Sequence, residues 1–253
     1  MSVNQYYKER NLRNIGVSDL SKSIYRIIPI AHLELMLQNR TLALAKTSSW
    51  EDVYENFFFK EKFFTQQGTR ITMDHLGNKI FGQCWSLFRD SDAMWRIYSH
   101  DKRSVRIKTT IGKLYDTVYL DDNCMASTYI GAVEYKSPKL LDEWIKENNR
   151  VSVSNLSKIM IESLFLKRYN FSHEKEVRVI YQPASNSSDC SNTLKIYPID
   201  INDFLEEVTF DPRAEDVFMH DCMKMITTYN YPMCRVNKSS LYDFRQVNID
   251  IIS

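Results

Sequence analysis

Phe171-Ser-His-Glu-Lys-Glu-Val-Arg-Val-Ile-Tyr181 is the stretch on which the reading of the fold turns. In an extended strand, successive side chains point to opposite faces. Val177, Val179 and Tyr181 then form an apolar face suited to a core, while Glu174, Glu176 and Arg178 share the other. The two carboxylates stand roughly 7 Å apart along such a backbone, with a guanidinium beside them. Like charges at that spacing raise one pKa, whereas the arginine favours ionised carboxylates. This trio suits a site that holds one anion and one hydrogen-bonding partner. It also suits a solvated strand face with cross-strand charge pairs. The segment by itself leaves both readings open.

Outward from this strand the chain alternates between strand-like and helix-like runs. Ile24–Ile28 is β-rich and ends at Pro29, which cannot donate to a ladder. Ile30 to Arg40 places Ile30, Leu33, Met36 and Leu37 at helical spacing. Strands are predicted at 41–45, 80–88, 105–109, 129–135, 176–182, 193–198, 208–210 and 247–251. Helices are predicted from Tyr54 through Phe58 and at 93–99, 138–147, 154–169 and 213–229. The polar stretch Pro183–Asn192 reads as a hairpin-type excursion, and Thr65–Thr69 as an interruption in an aromatic helical segment. There is no strict βαβ rhythm. That predicts an α+β fold, a single domain at 24–253 with mixed, mainly antiparallel sheets flanked by helices, behind a polar N-terminal extension at 1–23.

Composition narrows the function classes. The 253 residues carry 33 Lys+Arg against 32 Asp+Glu, a net charge of +1, which argues against a dedicated nucleic-acid binder. No apolar run approaches the roughly 20 residues of a membrane span, and no apolar leader opens the chain, so a cytoplasmic protein with no membrane partner is expected. The five cysteines are scattered without a C-x-x-C, and the five histidines are equally dispersed. Neither a disulfide framework nor a metal site is expected. Glycine-rich phosphate loops are absent.

Three further segments carry polar or aromatic groups that need an explanation. Trp95 and Tyr98 lie three apart on a predicted helix and share a face, either as core packing or as a wall beside a planar ligand. Arg26, next to Tyr25 in an apolar strand, must snorkel or find an anion, because an unpaired buried charge costs several kcal/mol. Its partner is either Glu174 or Glu176, or a ligand's phosphate or ribose hydroxyl. Ser48–Glu55 reads as a helix N-terminus whose acidic residues complement the dipole. Lys102-Arg103 and Lys167-Arg168 read as solvated faces.

In order and spacing these segments resemble a bacterial family of uncharacterised proteins, domain of unknown function family twenty-nine seventy-one. The pattern is carried by Tyr25-Arg26, Ser49-Trp-Glu-Asp-Val-Tyr-Glu55, Cys84-Trp-Ser86, Met94-Trp-Arg-Ile-Tyr98 and Phe171–Arg178. Glu51, Val53 and Phe171 depart from the usual Asn, Pro and Trp. The layout is similar to that of the ADP-ribosyltransferase superfamily, with an early polar anchor, a central aromatic element and a late Glu-x-Glu strand. That likeness implies Glu176 as catalytic carboxylate and Glu174 as its helper. It also implies Tyr25, Arg26 and Arg178 as dinucleotide-binding groups, with Trp95 and Tyr98 flanking the nicotinamide.

The leading expectation is therefore an NAD-consuming ADP-ribosyltransferase or NAD glycohydrolase, an intracellular toxin or defence effector with NAD as substrate and no metal. Its acceptor macromolecule is left open, and an adjacent antitoxin or defence partner would fit. One alternative is a non-catalytic nucleotide-sensing or partner-binding module of the same fold. A metal-dependent nuclease built on Asp52, Glu55, Glu174 and Glu176 ranks last, since a neutral chain attracts phosphate weakly.

Overall fold

The computed structural model describes residues 8–52, 54–119, 127–184 and 187–247. Its strands are β1 (Leu12–Arg13), β2 (Ser23–Pro29), β3 (Thr41–Lys46), β4 (Phe63–Phe64), β5 (Arg70–Ile71), β6 (Phe81–Ser86) and β7 (Ser104–Thr110). They continue as β8 (Ser127–Ala132), β9 (Glu134–Lys136), β10 (Leu166–Arg168), β11 (Glu176–Gln182), β12 (Leu194–Pro198), β13 (Glu207–Phe210) and β14 (Val236–Lys238). The helices are α1 (Ile30–Asn39), α2 (Phe57–Lys60), α3 (Asp74–Gly77), α4 (Asp92–Tyr98) and α5 (Ile111–Val118). After these come α6 (Pro138–Glu147), α7 (Val153–Ser163), α8 (Ile201–Phe204) and α9 (Asp216–Thr228).

The fold is α+β, with one large sheet ordered β1-β8-β11-β6-β2-β7-β13-β14; β3 pairs β6, and β12 pairs β3. Apart from the β1–β8 and β13–β14 pairs, which are parallel, its ladders are antiparallel. Of the polar extension expected at 1–23, Leu12–Arg13 pairs with Ile130–Gly131, and Leu12, Ile15 and Leu20 pack on the core. A Cβ at Gly131 would lie 2.0 Å from the Arg13 carbonyl oxygen, so glycine permits this close approach.

The sheet divides at β6. On one side every residue of the strand faces β11, in register from Glu176↔Ser86 to Tyr181↔Phe81. On the other side only Tyr25↔Ser86 joins it to β2, and only Ala45↔Gly82 and Lys46↔Phe81 join it to β3. Gln83, Cys84 and Trp85 have no ladder partner there, because β2 turns away to pair along its length with β7. A cleft opens between the two branches.

Two apolar clusters cover the faces of β11. Val177, Val179 and Tyr181 join the larger core with Ile24, Leu33 and Trp85. Ile180 joins a second core made by Phe57–Phe59, Leu141 and the end of α7. The strand is therefore buried on both sides, and the face carrying Glu176 and Arg178 is not solvated.

Several expectations are corrected. The helix predicted over 154–169 stops at Ser163, and Leu166–Arg168 instead pairs in parallel with β9. The hairpin expected around Pro183–Asn192 does not form, because β11 pairs with β6 and β8 whereas β12 pairs with β3. Thr65–Thr69 is the turn joining β4 to β5, with Gly68 at φ +81°. The helix expected through Tyr54 is confined to Phe57–Lys60. The strand predicted at 247–251 falls, beyond Val247, outside the described residues. The amphipathic α5, capped by Thr110 accepting from the Lys113 N–H, has no counterpart in the sequence reading.

Candidate active site in the cleft of the sheet

The cleft holds a cavity of about 150 Å³. Tyr25, Arg26, Trp95, Tyr98, Glu174 and Glu176 all line it, together with Cys84 and Ser86 of β6. Residues expected to meet from three separate segments of the chain, 25–26, 95–98 and 174–176, do meet there. Arg178 is the exception among the expected dinucleotide-binding groups. It is fully buried behind the cavity, where Glu176, Glu55 and the Leu164 carbonyl occupy its guanidinium.

Glu176 opens β11, and its backbone N–H donates to the Tyr135 hydroxyl at 2.8 Å. One carboxylate oxygen lies 2.6 Å from the Lys167 ammonium, and the other accepts from Arg178 Nε at 2.6 Å. Burial works to raise its pKa, but Arg178 and Lys167 prevail and hold it well below the usual carboxylate range.

Glu174 reaches the same point by a different route from the strand alternation expected. It ends a 3-10 turn, Tyr169–Glu174, and Lys175 then turns the chain through the left-handed region at φ +44°. A non-glycine residue there costs on the order of 1–2 kcal/mol. The Ser86 hydroxyl donates to the Glu174 carbonyl at 2.7 Å and ties this turn to β6. The Glu174 carboxyl contacts Lys167 and accepts from the Tyr98 hydroxyl at 3.3 Å. Burial, then the hydrogen bond and charge of Glu176, push its pKa up to about 7.

Lys167 corrects the solvated-face reading of Lys167-Arg168. Its ammonium lies within hydrogen-bonding reach of Glu174 and Glu176 and 3.1 Å from Glu55, with the Phe171 ring 4.8 Å away. Strand alternation in β10 turns Lys167 inward between its neighbours, and Arg168 pairs with Asp52 at 2.8 Å. Glu55, read as a helix-dipole residue, is buried against Arg178 and Lys167. Trp50 stacks over Arg178 at 4.6 Å, and a Cβ on Gly82 would meet that indole at 2.8 Å. Only glycine lets the ring close over the guanidinium. The absence of a side chain at Gly82 could have signalled this packing; nothing local signalled Lys167, since its strand emerges only through pairing with β9.

The opposite wall is built by α4. Trp95 is buried and donates its indole N–H to Asp90 at 2.6 Å, whereas Tyr98 is 43% exposed at the cavity rim. Arg26 is half-buried on β2 and finds neither Glu174 nor Glu176; it makes no hydrogen bond or ion pair among the described residues. Burial pulls its pKa down without a carboxylate to offset the effect. The cavity thus brings together ionised Glu176, Glu174 titrating near neutrality, an aromatic rim and the unneutralised Arg26, beside the paired Asp90 and Arg106.

The family resemblance is supported by comparison. The model of the family described as Protein of unknown function (DUF2971) matches residues 94–179. That span opens on the Met94-Trp motif and closes just past Glu-x-Glu-x-Arg, so it contains α4 from Met94 on, with Lys167, Glu174, Glu176 and Arg178. A search of curated proteins finds no match. Among solved structures, Thermus sp. 2.9 DarT in complex with NAD+ is similar at 12% identity and a TM-score of 0.39, covering 87% of this chain and 96% of that chain. The same protein in complex with ADP-ribosylated ssDNA gives 12% identity and a TM-score of 0.40, covering 87% and 94%. Among the described residues, no helix is long and apolar enough to cross a membrane.

Proposed function

We propose that the cavity binds NAD and that the chain cleaves its nicotinamide–ribose bond, passing ADP-ribose to an acceptor or to water. The carrying observation is the pairing, in one cavity, of ionised Glu176 with Glu174, beside the Tyr98 ring and the unneutralised Arg26. Bond cleavage sends the electron pair to the pyridinium nitrogen, leaving neutral nicotinamide and an oxocarbenium-like ribose. A carboxylate fixed in its ionised form stabilises that developing positive charge. Glu174, titrating near neutrality, is suited to hydrogen-bond a ribose hydroxyl as donor or acceptor. Arg26 supplies the charge that a diphosphate requires.

Incubation of the full chain with NAD tests this reading: free nicotinamide should appear, and Glu176→Gln should abolish its release without unfolding the protein. Full turnover by that variant would overturn the assignment. The biological role that follows is a toxin or defence effector in the cytoplasm. Induced expression in bacteria should arrest growth, and Glu176→Gln should relieve the arrest.

One observation favours a second reading, a nucleotide-sensing module. Both oxygens of Glu176 are already held, by Lys167 and Arg178. Saturable NAD binding with no nicotinamide release would select the module over the enzyme.

A further inference from the structure

A two-stranded ribbon outside the large sheet converges on one residue of the cavity. β9 and β10 pair in parallel, with Lys167 directly opposite Tyr135. The Tyr135 hydroxyl accepts the Glu176 N–H at 2.8 Å, and the Val133 N–H, just before β9, donates to the Glu176 carbonyl at 2.9 Å. Lys167 reaches the Glu176 carboxylate at 2.6 Å. Both the main chain and the side chain of Glu176 are thus tied to the ribbon, and Arg178 completes the hold from β11 itself. Of the two bases, Lys167 is the one that also contacts Glu174. It is buried and does not line the cavity. Its three N–H groups face three acids, Glu55, Glu174 and Glu176, so none is left for a ligand. A guanidinium could not repeat this arrangement, because its donors lie in one plane whereas an ammonium directs three about a point.

We infer that Lys167 is a positioning residue: carried with Tyr135 on the β9–β10 ribbon, it holds the carboxyls of Glu174 and Glu176 toward the substrate without touching it. The kinetic part of this inference rests on the NAD reading above. What it adds is that the aim of both carboxyls is set from behind the cavity, by a ribbon that contributes no wall to it. Each carboxylate oxygen has a second acceptor position. Holding Glu176 at both oxygens therefore fixes it and still leaves it able to meet a ribose. Displacement of a reacting group by about 1 Å costs on the order of 100-fold in rate, which is the scale on which such a support acts.

Nicotinamide release by the full chain, with kcat and KM for NAD read separately, tests this. Lys167→Arg keeps the charge and loses the three-way geometry; it should lower kcat by about 100-fold and leave KM within about threefold. Tyr135→Phe removes only the hydroxyl that holds the Glu176 N–H, and should lower kcat by about three- to tenfold with KM again in place. Wild-type kcat in either variant, shown to be folded by circular dichroism, overturns the inference. So does a loss confined to KM, which would mean contact with substrate. Tyr135→Phe keeps its ring, and so keeps the test valid if Lys167→Arg does not fold. A second readout needs no turnover. Glu174 is faced by Lys167 from β10, Glu176 from β11 and the hydroxyls of Tyr98 and Tyr135. Its carboxyl, followed by carbon NMR and assigned with Glu174→Gln, should titrate about one pH unit or more higher in Lys167→Met, where the cation is gone. An unmoved midpoint overturns the inference. That shift in a chain releasing no nicotinamide would sink the cleavage reaction and leave the positioning of the two carboxyls standing.

Discussion

Arg106 and Arg178 are both buried guanidiniums in one sheet, and their surroundings balance differently. Arg106, on β7, meets Glu207 at 2.8 Å, Thr209 at 2.9 Å and Asp90 at 3.2 Å, while Arg89 approaches Glu207 at 3.7 Å. Two cations face two acids, and Asp90 also accepts from Trp95 and Ser239. Around Arg178 the sum differs: Glu55, Glu174 and Glu176 face only Lys167 and Arg178. The third acid is satisfied most cheaply by a proton, and Glu174 is the one displaced toward neutrality. Burial is common to both clusters. What separates the rigid one from the one that can respond to a ligand is the count of acids against bases.

The largest effect expected from this contrast is on catalysis. Glu176→Gln should lower nicotinamide release by at least about 100-fold, the scale of losing a preorganised charge at a developing cation. Glu207→Gln, in the balanced cluster and not itself lining the cavity, should change it by less than about threefold. Equal losses in the two variants would erase the distinction. Next comes stability. Lys167→Met leaves three acids against one base and should cost about 3–5 kcal/mol at pH 8, read from urea unfolding. The loss should shrink at pH 6, where a second acid can take up a proton; a loss independent of pH would break the argument from charge count.

Glu174 itself sets the third expectation. Its folded pKa, about 7, lies above the ordinary value of 4.5. The stability it contributes is complete below pH 4.5 and is lost as pH rises through about 7. Glu176 acts with the opposite sign, contributing above pH 4.5 and losing that contribution only at more acidic pH. Glu174→Gln should therefore gain on the order of 2 kcal/mol over wild type at pH 8 and close to nothing at pH 4. A gain of the same size at both pH values would mean that the residue is not the one carrying the displaced proton.

These clusters also mark what the sequence could disclose. The strand at Glu176–Gln182 was legible because its apolar residues alternate, and α1 because its apolar residues recur at helical spacing. Tyr25, Arg26, Trp95 and Tyr98 were legible as residues out of place in their local pattern. Glu174 reached the predicted meeting point through a 3-10 turn, so the juxtaposition was right and its geometry was not. Lys167 was hidden by Leu156, Ile159, Met160 and Leu164, whose helical spacing runs on toward a segment that pairing with β9 converts to strand. Glu55 was hidden too, since a residue that complements a helix dipole and one that neutralises a buried arginine look alike in sequence. Contacts made only by long-range pairing left no periodic trace.

The smallest expected effect separates the two aromatic residues of α4. Tyr98→Phe keeps the ring at the cavity rim and removes one donor, whose 3.3 Å bond to Glu174 is at the long end of the range. A net worth of about 0.5–1 kcal/mol converts to a two- to fivefold change in nicotinamide release. Because the hydroxyl favours ionised Glu174, the variant's pH profile should move to higher pH by a few tenths of a unit. Trp95→Phe does something else: it leaves Asp90 short of a 2.6 Å donor in the balanced cluster and opens space in a buried wall. Its cost should appear as lost stability with the pH profile in place. If Tyr98→Phe lowered stability and left the profile unmoved, while Trp95→Phe shifted the profile, the hydroxyl would belong to the scaffold and the indole to the site.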